Sequence, residues 1–256
     1  MNGPLTLAPV AMSIAAAFAC ACASQAPLEW KTTEAEWRIA SARLEALRAT
    51  QPTEPYGMVV RVSLREPRSG KAFEGRGAVA VEPHAALRMI LLGPGGATAL
   101  DAWITPSAFR FEVPPLHLLR RGAAQGEARL PVDFFREWFL APLGGRLLAS
   151  VAGPAATGLP SCSGQWFVLR RGVATMTVCE DEAGERLAID ATRRAPSALE
   201  RLSFRGTSLS PHAGDRAEYE DVLSGVRASV EVEKVDDTPP DPLAFADPDA
   251  LPKGSP

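Results

Sequence analysis

The chain has 256 residues, with 27 Lys and Arg against 30 Asp and Glu, and its formal net charge is −3. That length suits one sizeable domain or two small ones, with ample apolar material for a core. The small negative charge and the scattered basic residues give no electrostatic basis for binding nucleic acid.

The first 23 residues have the pattern of an export signal. Residues 4–19 are uncharged and mostly apolar, and small residues surround Cys20 and Cys22. A membrane-spanning helix is the alternative, which two early prolines and the small-residue end disfavour. Residues 17–24 resemble a bacterial lipobox, in which a Cys after small residues is acylated and becomes the new N-terminus. The usual Leu three residues before that Cys is absent here.

The lipobox resemblance implies an acyl (palmitate-type) anchor on Cys22 or Cys20. Cleavage before Cys22 leaves only Cys162 and Cys179 besides the anchor, whereas cleavage before Cys20 leaves one more thiol. Parity therefore favours Cys22 and a signal peptide of residues 1–22. Neither Cys is followed by the Asp that retains lipoproteins at the inner membrane in the related sorting system. The resemblance thus implies an outer-membrane protein that faces the periplasm.

Residues 27–49 are predicted to form an amphipathic helix that Thr32 or Thr33 can cap. Its apolar stripe recurs at spacings of three and four and consists of Trp37, Ala40, Leu44 and Leu47. The polar face is mixed rather than basic, so we expect the helix to pack on protein and not to lie on a membrane.

From Met58 to Val113 the sequence alternates apolar and polar residues in short runs separated by turns. Such regular spacing is typical of an antiparallel sheet with one buried face. Further alternating runs are predicted at 165–169, 173–179, 186–192, 199–206, 217–223 and 226–235. Residues 120–126 are interpreted as a basic loop, and the Pro- and Asp-rich residues 236–256 as an extended or disordered tail.

Residues 131–143 are predicted to form a second helix, crowded with aromatic side chains that require a large apolar surface. A curved sheet with both helices on one face is an α+β architecture. We expect this apolar face and the second helix to line a slot that suits an acyl chain. The candidate lipid-binding residues are Leu87, Met89, Leu91, Leu100, Phe109, Phe111, Phe135 and Trp138.

The two late cysteines predict a disulfide between Cys162 and Cys179. If Arg170 and Arg171 form the turn of a hairpin, these cysteines fall opposite each other. An exported protein permits such a bond, which would stabilise the fold by roughly 3 kcal/mol in the loop-entropy description.

The sequence contains no pattern that indicates catalysis. Its three histidines are scattered, there is no GxSxG motif, and the acidic run at residues 180–182 has the composition of a solvated turn. We therefore predict no enzyme, no metal site and no cofactor.

The order of elements is similar to that of the LolA/LolB-like lipoprotein localisation factors. The likeness rests on residues 75–77, 87–89 and 93–96, on Trp103, on the aromatic second helix ending at Pro142, and on Phe245 and Pro248. It implies one lipid-binding domain over residues 23–235, an unclosed barrel of about 10–11 strands with helices over its concave face. The implied protein is a monomer whose partners are acyl chains or lipoproteins. The alternative is an anchored structural or adaptor lipoprotein with a filled core.

Overall fold

A computed structural model of the chain describes residues 33–66, 70–123, 135, 165–171, 174–181, 183, 185–195 and 198–250. The α-helix whose bounds the structure describes, α1 (Glu34–Arg48), accompanies a single antiparallel sheet of twelve strands. The strands are β1 (Tyr56–Glu66), β2 (Lys71–Glu82), β3 (Ala86–Leu92), β4 (Thr98–Ile104), β5 (Ala108–Val113), β6 (Leu118–Ala123), β7 (Gln165–Arg171), β8 (Ala174–Glu180), β9 (Leu187–Ala195), β10 (Ala198–Gly206), β11 (Arg216–Asp221) and β12 (Val226–Val235).

The sheet consists of two meanders, which we call the first half (β1–β6) and the second half (β7–β12). They join at the centre through the antiparallel pair β1 and β12, and β6 and β7 stand at the two ends. The sheet is therefore unclosed, and residues 124–164 connect one end to the other. The predicted α+β unclosed sheet is confirmed, with twelve strands rather than 10–11.

Alternation predicted the strands well wherever one face is buried. The inner face carries the core, which includes Val60 and Val62 of β1 and Val230 and Val232 of β12, while their neighbours in sequence face outward. The strand predicted at residues 226–235 coincides with β12, and the other predicted runs differ from the observed strands by one to three residues at their ends. Helix α1 places Leu44 and Leu47 in the same core.

Strand β6 corrects the prediction of a loop at residues 120–126. Its residues 118–123 pair with β5, although they do not alternate and two of them, Arg120 and Arg121, are basic. Charges at the edge of a sheet oppose pairing with other chains, so this composition fits an end strand. Gly122 lies against Phe109, and a Cβ there would come within 2.8 Å of the ring. A glycine at this position leaves room for that ring.

The hairpin of β7 and β8 differs from the predicted one. Arg171 pairs with Ala174, so Arg170 and Arg171 belong to the strand and do not form the turn. This register places Cys179 opposite Trp166 rather than opposite Cys162. Cys162 lies outside the described residues, and its disulfide with Cys179 remains a prediction.

The second helix and the N-terminal segment fall almost entirely outside the described residues. Of residues 131–143 the structure describes Phe135, which is helical and fully buried. Trp138, Cys20 and Cys22 lie outside the described part of the chain. Their predicted roles therefore stay predictions.

Residues 236–250 are ordered, and we call them the C-terminal strap. They leave β12 with a hydrogen bond from Asp236 N to Gly57 O at 2.9 Å, and a 3-10 helix at Pro242–Phe245 lies over β2 and β3. The strap then reaches β4, β5 and β6 on the outer face. The prediction of an extended or disordered tail is wrong for these residues, because distant side chains hold them.

Candidate functional site

The candidate lipid-binding residues of the meander lie side by side on the inner face of the first half. Leu87 is opposite Ile104 in β4, which is opposite Phe109 in β5. A neighbouring row runs from Met89 through Ala102 to Phe111, and Leu91 is opposite Leu100. These residues therefore form adjacent cross-strand rows.

These side chains are closely packed in the present conformation. The relative exposures of Leu87, Met89 and Leu91 are 0%, and those of Phe109 and Phe111 are 2% and 4%. The rings of Phe109 and Phe111 meet edge to face with their centroids 6.0 Å apart. An interior with so little accessible surface has no open slot beside these residues, so a guest could enter only after a covering element moves.

Phe135 is the predicted site residue that joins this cluster from outside the sheet. Its ring centroid lies 6.3 Å from that of Phe111, and the side chain is fully buried. The structure thus brings together every candidate lipid-binding residue that it describes.

Helix α1 is attached to the second half by an ion pair with Glu180. Arg43 donates from Nε to Glu180 Oε2 at 2.6 Å and from a terminal nitrogen to Oε1 at 2.8 Å. Glu180 is buried at the end of β8, while the Arg43 side chain is 44% exposed. The hydrogen bonds from Arg43 to Glu180 raise the pKa of the guanidinium above its ordinary value. A second contact is the hydrogen bond from Leu209 N to Thr50 Oγ1 at 3.2 Å.

The Arg43–Glu180 pair corrects the interpretation of residues 180–182 as a solvated turn. Asp181 does form part of a turn, because it accepts hydrogen bonds from the backbone N–H groups of Glu185 and Arg186 at 2.7 and 3.1 Å. Residue 182 lies outside the described residues. A two-pronged Arg–carboxylate pair is specific in direction. It can therefore hold α1 in one orientation over the inner face.

The outer face of the first half carries charge instead of apolar side chains. Arg88 donates one hydrogen bond from a terminal nitrogen to Asp101 Oδ2 at 2.7 Å. Arg110 reaches Asp101 at 3.5 Å and Glu112 at 2.7 Å. Arg110 is nearly buried, because the C-terminal strap lies over it. This arrangement compensates the charges locally and leaves the apolar interior to the opposite face.

A polar groove of about 540 Å³ lies on the outer face of the second half and extends to β1. Ser63 and Ser229 share a hydrogen bond of 2.8 Å within it. Its charged walls are formed by Arg65, Arg201, Arg227, Asp190, Glu218 and Glu220. Acidic and basic walls balance, so the groove has no net preference for an anion or a cation.

The described residues contain no group of three or more His, Cys, Asp or Glu side chains placed to hold a metal ion. Within the same residues, no helix is both long enough and apolar enough to cross a membrane.

Comparison with known proteins finds similar folds and no sequence relatives. No protein-family model matches the chain, and no curated protein matches it. A solved LolA superfamily protein from Nitrosomonas europaea is similar at 15% identity and a TM-score of 0.49, covering 83% of this chain and 99% of that one.

Two further solved structures are similar. A DUF1329 family protein from Desulfovibrio piger has 9% identity and a TM-score of 0.46, covering 81% of this chain and 95% of that one. An uncharacterized conserved protein from Thermus thermophilus has 11% identity and a TM-score of 0.40, covering 84% and 96%. At these values the likeness carries no functional assignment.

Proposed function

We propose that this chain is an anchored envelope protein that binds acyl chains, free or as part of lipoproteins, between its sheet and the covering helices. The proposal rests on one observation: the inner face of an unclosed sheet is apolar along nearly its whole width. Of the described side chains of α1, only Leu44 and Leu47 belong to this core. The sequence resemblance to LolA/LolB-like factors supports the same function.

Acyl-chain binding requires the covering elements to move, because the lining residues are closely packed. Helix α1 is the described element best suited to move, since polar contacts at Glu180 and Thr50 attach it to the second half. Each CH₂ group that replaces water contact with apolar contact contributes about 0.8 kcal/mol. Half of a fatty-acid chain would therefore offset the loss of a few polar contacts and of the packing of two leucines.

The test pairs two substitutions on one strand, Met89→Glu on the inner face and Leu92→Glu on the outer face. Met89 is fully buried and Leu92 is 44% exposed. We expect saturable binding of a fluorescent fatty acid by the wild type and by Leu92→Glu. Met89→Glu should lose binding and keep a cooperative melt, because movement of the covering elements would let water reach the new carboxylate.

A filled core is the second candidate, and the low exposure of Leu87, Met89 and Leu91 favours it. The protein would then be an anchored structural or adaptor lipoprotein. In that case the wild type binds no fatty acid, and Met89→Glu buries an unpaired charge and fails to fold. If the wild type binds the fatty acid but Met89→Glu is unfolded, the carrier is supported and Met89 lies in a part of the core that stays packed. Phe111→Glu would then be compared as a second site.

We also propose that the mature chain begins at a lipidated Cys22, or at Cys20, and that it is held at the outer membrane on the periplasmic side. The small residues before both cysteines support this. The mass of the intact membrane-extracted protein should show acylation, and Cys22→Ser should remove it. If Cys20→Ser removes it instead, the anchor is Cys20. An unchanged mass in the double variant would contradict the anchor.

A further inference from the structure

The C-terminal strap occupies a built site on the outer face of the first half. The indole N–H of Trp103 donates to the main-chain oxygen of Phe245 at 2.9 Å. Trp103 is itself 9% exposed, so the strap covers a large aromatic side chain. Phe245 is the last residue of the 3-10 helix of the strap. A hydrogen bond to its main-chain carbonyl makes no demand on the side chain at that position.

Two arginines add a requirement for acidic side chains. Arg121 on β6 binds Asp247 at 2.5 Å and also binds Asp249. Arg110 on β5 donates from Nε to Asp249 Oδ1 at 3.0 Å. The carboxylates stand two residues apart, and a backbone N–H to side-chain hydrogen bond from Asp249 to Asp247 fixes their geometry at 3.0 Å. The site thus recognises two carboxylates at a defined spacing.

We propose that this surface is a docking site for an acidic segment of a second protein, and that the C-terminal strap occupies it until such a segment replaces it. The strap shows the chemistry that fits: a main-chain carbonyl for Trp103 and two carboxylates for the arginine pair. The partner segment carries the same features together with an apolar side chain.

The contacts of the strap are suited to exchange. The side chains of Arg121, Asp247 and Asp249 are 43%, 29% and 36% exposed. Ion pairs with this exposure hold weakly and are screened by salt. Arg110 keeps Asp101 and Glu112 when the strap leaves, so release does not strand a buried charge.

The partner segment must bind tightly enough to displace the strap, which has the advantage of being tethered. A tethered segment competes at an effective concentration on the order of millimolar. Ile90 and Leu119 offer the additional contact, because they lie on the same outer face and remain 38% and 49% exposed beside the strap. An apolar residue next to the acidic pair would cover one of them, which the strap does not do.

The experiment uses the full chain with Asp247→Asn and Asp249→Asn together, which should release the strap. The probe is a fluorescein-labelled peptide of residues 241–250, and a matched peptide carries Asn at positions 247 and 249 and keeps Asp241. We expect the acidic peptide to bind the released variant at least tenfold more tightly than the wild type. The matched peptide, or the addition of Arg121→Ala to the released variant, should weaken that binding at least tenfold.

Hydrogen exchange of residues 242–249 establishes whether the strap has been released. Release without binding of the acidic peptide overturns the proposal, and so does equal binding of the two peptides. No release in the Asp-to-Asn variant overturns it as well, since charge would then not hold the strap. A dimer of the wild type that forms by exchange of straps would assign the site to a second copy and would also contradict it.

Discussion

The inner face of the first half of the sheet carries the bulkiest packed side chains, whereas the second half interleaves alanines such as Ala191, Ala217 and Ala228 among its apolar residues. Among the described residues, the largest fully buried side chains are Phe109, Phe135, Met58, Leu87, Met89, Leu91 and Ile104. All of them except Phe135 lie in β1–β5. The first half therefore fills its concavity largely with its own side chains.

The two halves are also covered differently. The first half has the C-terminal strap on its outer face and Phe135 on its inner face. Arg43 of α1, and Thr50 just after the helix, contact the second half. Packed apolar contacts are lost only when side chains separate, whereas a partly exposed ion pair can break and be solvated. If the covering elements move as proposed, this difference favours α1 as the element that detaches first.

Truncation of one phenylalanine in each half is the most direct test of how the packing of the two halves differs. Phe109 and Phe204 are 2% and 3% exposed. If both halves are filled in the closed conformation, Phe109→Ala and Phe204→Ala should each lower the free energy of unfolding by about 3–5 kcal/mol. Urea unfolding measures both. A loss for Phe109→Ala less than half that for Phe204→Ala would mean that the first half already contains a void.

The predicted Cys162–Cys179 disulfide would add a covalent restraint between β8 of the second half and the segment that precedes β7. Thiol labelling of the folded, unreduced protein should leave both cysteines unreactive. Reduction should lower the free energy of unfolding by about 3 kcal/mol. A Cys162→Ala, Cys179→Ala double variant with unchanged stability, or ready labelling of either thiol, would contradict the bond.

Removal of the Arg43 side chain tests whether the ion pair holds α1. Arg43→Ala should cost about 1–2 kcal/mol, since hydrogen bonds to a charged group are lost at a site that is partly exposed. Hydrogen exchange in α1 should become faster, while exchange in the first half stays the same. Arg38→Ala is the control, because its pair with Glu34 is 78% and 91% exposed. Equal effects of the two variants would show that Glu180 does not fix the helix.

The residues of the inner face were predictable because burial of one face imposes a period of two on the sequence. Leu87, Met89 and Leu91 show that period, and all three are in the core. Strand β6 was not predictable in this way. Its residues form an end strand in which charge at Arg120 and Arg121 opposes edge pairing, so the alternation on which the prediction depends is absent.

Two other features depend on contacts between distant parts of the chain. Glu180 stands in an acidic run that locally resembles a solvated turn, and its partner Arg43 lies in a helix near the start of the chain. The composition of residues 236–250 favours disorder, but Trp103 and Arg121 order them. The ion pairs of Arg43 and Arg121 could have been predicted only by matching each charge with a distant opposite charge. The sequence offers many such combinations, so it does not single these out.

The smallest expected effect concerns Asp215, a buried carboxyl just before β11 in the second half. Its side chain accepts a hydrogen bond from His212 N at 2.7 Å, but burial raises the pKa of Asp215 above its ordinary value. A raised carboxyl pKa means that the folded protein holds the proton more tightly than the unfolded chain does. The resulting stabilisation is fully present below about pH 3.9 and is lost as the pH rises through the folded-state pKa.

Asp215→Asn should remove this pH dependence, because the amide oxygen can still accept from His212 N and carries no charge. The free energy of unfolding of the variant relative to the wild type should therefore increase as the pH rises from about 3.5 to 7, with a slope no steeper than about 1.4 kcal/mol per pH unit. Urea unfolding across that range measures it, with the exposed Asp237→Asn as the control. A difference that is constant or that decreases with pH would show that the hydrogen bond outweighs burial. Asp215 would then be a hydrogen-bonded carboxylate that stabilises the second half.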